Sequence, residues 1–470
     1  MGFDTETANP DISSLKLIWY YFGLSWLYSF SLGTIHNLEL FMSEISPDSV
    51  STEKKESPLP KGFSIAGLTF VLAALSWVGP FSIDTYLPSI PSIAENLNAS
   101  TANVQQTMTA FLFFFAVMSL WHGAISDAFG RRKPVLISMV FFLAASLGCA
   151  FSNNVALLMV FRAIQGATAG AGMIIGRAVV RDLFEGAAAQ RIMSHVATIF
   201  TIAPVMAPVI GGWFQVWFDW RSIFFFMTIM AAFILASCWR LLPETLPRET
   251  RHRLNIAFLG KSYWKVMTAM PFLTSCLALS LISIGFFIYI LSAPMFLAKH
   301  LGLKETQYIV LFLPMSVAMV IGAWISGRCA GKMSGMKTIG IGYVIMSVAA
   351  VGNVVLNIFL PPTLPWTLVP IILYVLGMST ATPSLTLISL DLFPSQRGLA
   401  SSCQGFLSLG ASSVMSAFIA FFWGSTFSLA WTMLTILAVS AITMLLYMTT
   451  VKKFKRDMAA SENSEIKACD

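Results

Sequence analysis

The sequence predicts an all-α membrane protein of twelve transmembrane helices arranged as two six-helix halves. Three observations carry this expectation. First, 56% of the 470 residues are hydrophobic, 13% are aromatic and only 11% are charged, with a mean hydropathy of +0.75, whereas charged residues make up about a quarter of an ordinary soluble domain. Second, apolar runs of spanning length recur along the chain. A helix needs about 20 such residues to cross ~30 Å of hydrocarbon, because in lipid every backbone polar group has to bond within its own segment. Third, the charged interruptions repeat in two similar sets.

Read between charge clusters, the runs lie near 64–87, 104–122, 134–152, 156–177, 192–213 and 221–242, then 271–295, 307–327, 338–358, 366–389, 399–423 and 428–450. The charged stretch GAISDAFGRRKP at 123–134 follows the second run, and SGRCAGKMSGMK at 326–337 follows the eighth. The longest polar interruption, 242–265, separates the sixth run from the seventh. The chain therefore divides into an N-terminal extension (1–60), a six-helix half (61–242), a linker (243–265), a second six-helix half (266–451) and a tail (452–470). Paired halves of this kind build one large class of secondary transporters, with the binding site near mid-membrane at their interface.

If 123–133 faces the cytoplasm, so do both termini and the loops after spans 4, 6, 8 and 10, and these segments hold 25 of the 29 Lys and Arg residues. That asymmetry is the positive-inside rule and places both ends inside. It also accounts for the net charge of +7 without nucleic acid, which is not expected as a partner. Within the extension, the aromatic-rich run at 15–35 either spans the membrane or lies on it as an anchor. Alternatively, translation starts at Met42 and the extension is dispensable.

Ionisable residues inside a span are costly and so mark function. Asp84 sits in FSIDTYLPSIP toward the outer end of the first span, and Arg162 in FRAIQGATAGAG, six residues in from the outer end of the fourth. Six helical residues are ~9 Å of depth, so the two share the outer half of one six-helix unit and can pair. Beside a cation Asp84 keeps its charge; in an apolar setting it takes up a proton more readily, within reach of a proton gradient. The plainer readings are an interfacial cap before Pro88 and Pro91 for Asp84, and snorkelling to the outer surface for Arg162.

In the fifth span, APVMAPVIGGWF has Pro204 and Pro208 to bend the helix and Gly211 and Gly212 to admit a close neighbour. Aromatics facing a central cavity would suit hydrophobic or cationic aromatic ligands; the candidate cavity residues are Tyr86, Phe115, Gln165, Phe286 and Tyr289. His122 and Asp127 form the H-x-x-x-x-D spacing of glycerolipid acyltransferases, with no other feature of such an enzyme. There is no GxxxxGK[ST] nucleotide loop, and the six scattered cysteines show neither CxxC nor metal spacing. No catalytic residue, cofactor or metal is expected.

Four stretches together resemble one family. GAISDAFGRRKP is similar to the loop signature G-x-L-[AS]-D-x-x-G-R-[RK] of the major facilitator superfamily, and RAIQGATAGAG to the span 4 signature of its proton-coupled members. APVMAPVIGG resembles the span 5 antiporter signature G-P-x-x-G-G, with Ala207 where Gly is usual. DTYLPSIP looks like the span 1 signature of drug:proton antiporters, and with GRAVVRDLF at 176–184 it points to the bicyclomycin-resistance subfamily. The resemblance covers about residues 61 to 452.

This resemblance implies a gating role for Gly123, Asp127, Gly130, Arg131 and Arg132, which engage neighbouring helix ends in the outward-open state and release them on switching. Ala128 stands where many members have Arg or Lys, so the latch falls to Arg131 and Arg132. Asp84 becomes the proton-coupling carboxylate, Arg162 its partner or relay, and Pro204, Pro208, Gly211 and Gly212 the antiporter bend. The implied function is a proton-coupled antiporter exporting small hydrophobic compounds or drugs across the bacterial inner membrane by alternating access. Its expected partners are that substrate, protons and the bilayer, and its expected unit is the monomer. Proton-coupled uptake or export of a specific metabolite is the nearer alternative, and a membrane acyltransferase the remote one.

Overall fold

The computed structural model describes residues 64–251 and 254–469, which are helical apart from short connections and contain no strand. The run at 15–35 and the alternative start at Met42 lie outside the described residues. Twelve helices are long and apolar enough to cross a membrane: α1 Ile65–Asn96, α2 Thr101–Phe129, α3 Arg132–Ala150, α4 Val155–Leu183, α5 Ala188–Trp217, α6 Trp220–Leu241, α7 Met270–Leu291, α8 Ile309–Cys329, α9 Gly335–Phe359, α10 Val369–Leu390, α11 Arg397–Phe421 and α12 Thr426–Lys452.

Local chemistry sets several of the ends. Ser64, Ser100 and Asn154 accept from the backbone N–H of Gly67 (3.0 Å), Asn103 (3.1 Å) and Leu157 (2.8 Å), which satisfies donors that no preceding turn can serve. At its other end α2 stops at Gly130, whose φ of +92° suits only glycine. The second span thus runs on to Phe129 instead of ending at 122, and Gly123 and Asp127 ride its last turns. Charge ends an apolar run, but it does not end backbone hydrogen bonding.

The two halves repeat each other's packing. α1 packs with α5 and α6, α2 with α4, and α3 with α4 and α6 in the first half; in the second, α7 packs with α11 and α12, α8 with α10, and α9 with α10 and α12. Lipid offers no hydrophobic drive to bring helices together, so close backbone approach does much of the work. A Cβ on Gly166 would lie 2.0 Å from the Phe111 carbonyl oxygen, and Cβ atoms on Gly342 and Gly377 would lie 2.6 and 2.7 Å from each other's carbonyl oxygens. Outward, Phe141, Ile229, Val344 and Leu445 are more than half exposed, an arrangement suited to a hydrocarbon surround and not to water.

Between the halves, α2 packs along α11 and α5 against α8. On the face away from Arg131–Lys133 this seam is stitched. Gln106 Nε2 donates to the Ala417 carbonyl (3.1 Å), Thr109 Oγ1 to Ser416 Oγ (3.0 Å) and Ser413 Oγ to the Thr109 carbonyl (3.1 Å). On the basic face the halves part around a cavity bordered by the linker helix Ile256–Thr268. That helix is moored by Tyr263, whose hydroxyl donates to the Leu120 carbonyl at 2.6 Å. Burial, with smaller contributions from Cys403 and Asp127, pushes the Tyr263 phenol up to about 12, so it remains a donor near neutral pH.

Candidate functional site

The first feature is a break in α1. Its first piece, Ile65–Asp84, ends in a short 3-10 turn at Leu87–Ser89 before a second piece, Ile90–Asn96. Pro88 has no N–H for the Asp84 carbonyl, and because the first piece ends there its last turn keeps carbonyls without helical partners. Arg162 of α4 takes one of them: its Nη1 donates to the Ser82 carbonyl and to Gln165 Oε1, both at 3.0 Å. The guanidinium lies between the Tyr86 and Phe111 rings, 4.5 and 4.4 Å from their centroids, within cation–π range. Gln165 is held in turn by Ser146 Oγ (2.8 Å), and the Tyr86 hydroxyl bonds Thr107 Oγ1 (2.6 Å).

Arg162 is fully buried and so does not snorkel. Nor does it pair with the Asp84 carboxylate; it clamps the backbone two residues earlier, where a cation complements the C-terminal end of the helix dipole. Asp84 itself is 6% exposed, and among the described residues no ion pair or hydrogen bond reaches its carboxylate. On the far side of the break lies α5, with Pro204 and Pro208 inside the helix and Ala203 and Ala207 packed near Phe81. Gly211 touches the break directly: a Cβ there would sit 2.3 Å from the Thr85 carbonyl oxygen. Gly212 is buried beside it.

The second feature is the turn between α2 and α3. Arg131 is 6% exposed and pairs with Asp127, while its Nε donates to Asp182 Oδ2 (2.8 Å) and its Nη1 to Ser126 Oγ (2.8 Å). Its backbone N–H donates to Glu244 Oε1 (2.8 Å), Arg251 lies 3.5 Å from the other oxygen of Glu244, and Thr245 Oγ1 reaches Asp182 (2.9 Å). Arg132 donates to the Trp239 carbonyl. Burial opposes the charge of Arg131, but hydrogen bonds and attraction from Asp182 and Asp127 outweigh it and hold the guanidinium above its ordinary value. These contacts join α2, α4 and α6 to the start of the linker, and none of them reaches the second half. Gly130 is indispensable to the turn, since a Cβ there would also strike Glu244 and Arg251.

The third feature is the cavity, about 910 Å³, within the range that encloses a drug-sized molecule. Its walls come from both halves and the linker helix, with Phe115, Ser119, Gly123 and Asp127 of α2, Met173, Arg177 and Arg181 of α4, Phe258 and Tyr263 of the linker helix, and Ser402, Gln404 and Ser408 of α11. Of the five candidate cavity residues, Phe115 lines it. Tyr86 and Gln165 belong to the Arg162 cluster, Tyr289 is buried and accepts from Asn353 Nδ2 (2.6 Å), and Phe286 packs against the core. Five residues along α2, His122 and Asp127 point about 140° apart around the axis; the first is buried and the second is half exposed on Arg131. They do not form one site.

Sequence reasoning missed Asp182, Glu244 and Arg251, which anchor the turn, and Arg177 and Ser402, which face the cavity. The signal for the charged ones was present in GRAVVRDLF and in the polar stretch after α6, where it was absorbed into the tally of inward-facing charge; Ser402 carried none.

Twelve spans in two halves that repeat each other's contacts, around one cavity sealed on one face and reaching the other, define a secondary transporter. Residues 66–414 match the sequence model of the Major Facilitator Superfamily, and the chain belongs to that family. It is 31% identical over 362 residues to an uncharacterized MFS-type transporter, YdgK, of Bacillus subtilis, covering 77% of this chain and 90% of that protein. It is 28% identical over 358 residues to multidrug resistance protein D of Escherichia coli, covering 74% and 87%. Among solved structures, a peptide transporter POT in complex with sulfate shares the fold, with a TM-score of 0.68 at 13% identity over 86% of this chain and 99% of that one.

Proposed function

We propose that this transporter is a proton-coupled antiporter that exports small hydrophobic compounds across a bacterial inner membrane, with both termini in the cytoplasm. The observation that carries the reading is Asp84, buried at the broken end of a helix with no cation on its carboxylate. A charge there is costly in two ways, by burial and by its place at the negative end of the helix dipole, and taking up a proton removes both costs. The same break is gripped by Arg162 from α4 and by Gly211 from α5, so proton occupancy at Asp84 has a direct mechanical route to the helices that line the cavity.

With Asp84 deprotonated, the cavity opens to the basic face and accepts cargo. Rocking of the halves carries cargo across, and after release a proton from outside returns the carrier. The turn at Gly130–Arg131 acts as the latch: here its charges are satisfied by the first half and the start of the linker, and in the opposite state Asp127, half exposed at the end of α2, is free to engage α11. Each charge moved gains about 2.3 kcal/mol per 100 mV of membrane potential. The drug-resistance name of the E. coli relative supports the hydrophobic-cargo part of the reading.

The test is proton movement in inside-out vesicles on adding a panel of hydrophobic antibiotics. A compound that dissipates the pH gradient with the wild type and not with Asp84→Asn supports exchange through Asp84. Equal dissipation by both proteins removes Asp84 from the mechanism.

A further inference from the structure

A smaller pocket of about 130 Å³ adjoins the central cavity between α1, α4 and α5. Its walls include Leu72, Met173, Val180, Met193 and Phe200. Met173, Arg177, Val180 and Met193 border both spaces, so Arg177 stands at their junction. One turn along α4, Arg181 lines the main cavity on the same side.

Neither Arg177 nor Arg181 has an ion-pair or hydrogen-bond partner among the described residues. Three carboxylates of this region are committed elsewhere, Asp127 and Asp182 on Arg131 and Asp391 on Arg397 at 2.7 Å, and Glu185, beyond the end of α4, makes no ion pair with either arginine. An apolar recess about the size of one aromatic ring therefore adjoins the central cavity, with an unspent guanidinium lining both. A void near 150 Å³ is enough to take benzene, and a guanidinium presents a planar fork matched to a carboxylate.

We propose that this junction is a subsite for an amphipathic anion, with its ring or short aliphatic body in the side pocket and its carboxylate on Arg177, reinforced at longer range by Arg181. The proposal rests on the central cavity being the cargo site, and it narrows the cargo from hydrophobic compounds in general to those carrying one acidic group. It does not depend on which residue carries the proton.

The test measures binding, so that failure of proton coupling leaves it standing. Radiolabelled benzoate, ionised near neutral pH, and the uncharged benzyl alcohol are titrated onto the purified full-length protein in nanodiscs. The wild type is expected to prefer the anion by about 10- to 100-fold, the worth of a charged hydrogen-bonded pair. Arg177→Gln should lose that preference while keeping its affinity for the alcohol, Arg177→Lys should keep part of the preference, and Ser76→Leu, which fills the recess, should weaken both ligands. No preference in the wild type, or a preference unchanged in Arg177→Gln, overturns the proposal. If Arg177→Gln yields no folded protein, the ratio in Arg177→Lys decides: a value equal to that of the wild type overturns it, because a compact ammonium cannot reproduce the bidentate contact.

Discussion

Gly211→Ala is expected to damage the transporter out of proportion to one methyl group. The added Cβ would lie 2.3 Å from the Thr85 carbonyl oxygen, and also within 3 Å of the Thr85 Cα and carbonyl carbon. Real contacts of this kind hardly occur below 3.0 Å, so α5 and the α1 break have to part by at least 0.7 Å. The obstacle is backbone on a helix already broken at that point, and no flexible side-chain tip is available to swing away. Overpacking of this sort costs about 1–3 kcal/mol, a factor of roughly 5 to 150 against the native packing, and the displaced backbone is bonded directly to Asp84. Gly176→Ala is the matched control on α4, since its nearest neighbour is the tip of Leu72 at 3.1 Å. Thermal unfolding in detergent and substrate-triggered proton movement in vesicles report stability and coupling separately. The expected order is Gly176→Ala near wild type and Gly211→Ala impaired in both. A Gly211→Ala protein as stable and as active as the wild type would refute the argument that this contact sets the geometry of the break.

Further expectations follow from the same geometry. Arg162→Met strands the buried Ser82 carbonyl, a lost partner that costs about 1–3 kcal/mol, and leaves Gln165 Oε1 with only the weak Cys149 thiol as donor, and Arg162→Lys should rescue little because one ammonium cannot reproduce the fork; both are checked by thermal unfolding. Asp182→Asn should lower stability more than Asp127→Asn, since Asp182 is 20% exposed against 52% for Asp127 and exposed ion pairs contribute about 0–1 kcal/mol. The double variant Thr109→Cys with Ser416→Cys, at positions whose hydroxyl oxygens are 3.0 Å apart, should form a disulfide under oxidation that holds the cavity open to the basic face and halts transport until reduced. Transport undiminished by the bridge would mean that this seam does not open during the cycle.

Twelve spans were legible because apolar run length is set by the bilayer and is written in the sequence directly. Their ends were less so: α2 continues through Gly123 and Asp127 to Phe129, since a helix stops where backbone geometry stops it, here at Gly130, and not where charge begins. Asp84 and Arg162 stood out as ions in oil, but their relation did not. The spacing allowed a pair, whereas the guanidinium found the Ser82 carbonyl, left without a helical partner because the first piece of α1 ends at Asp84. Cavity lining was the hardest to read. Tyr86, Gln165 and Tyr289 are aromatic or polar residues in the expected spans, but which face of each helix meets the opposite half depends on rotations set by contacts such as Gly166 on Phe111. Arg177 was hidden by its company, one more basic residue among many at the inner ends of spans.

The claim that Asp84 is the proton carrier is tested most directly by counting protons on the purified protein, in weakly buffered detergent solution, as a compound that passed the vesicle assay is added. The account predicts release of protons in proportion to compound bound by the wild type, and none from Asp84→Asn at matched occupancy. Equal release from both proteins, or binding by the wild type with no release at any pH near neutrality, would contradict it.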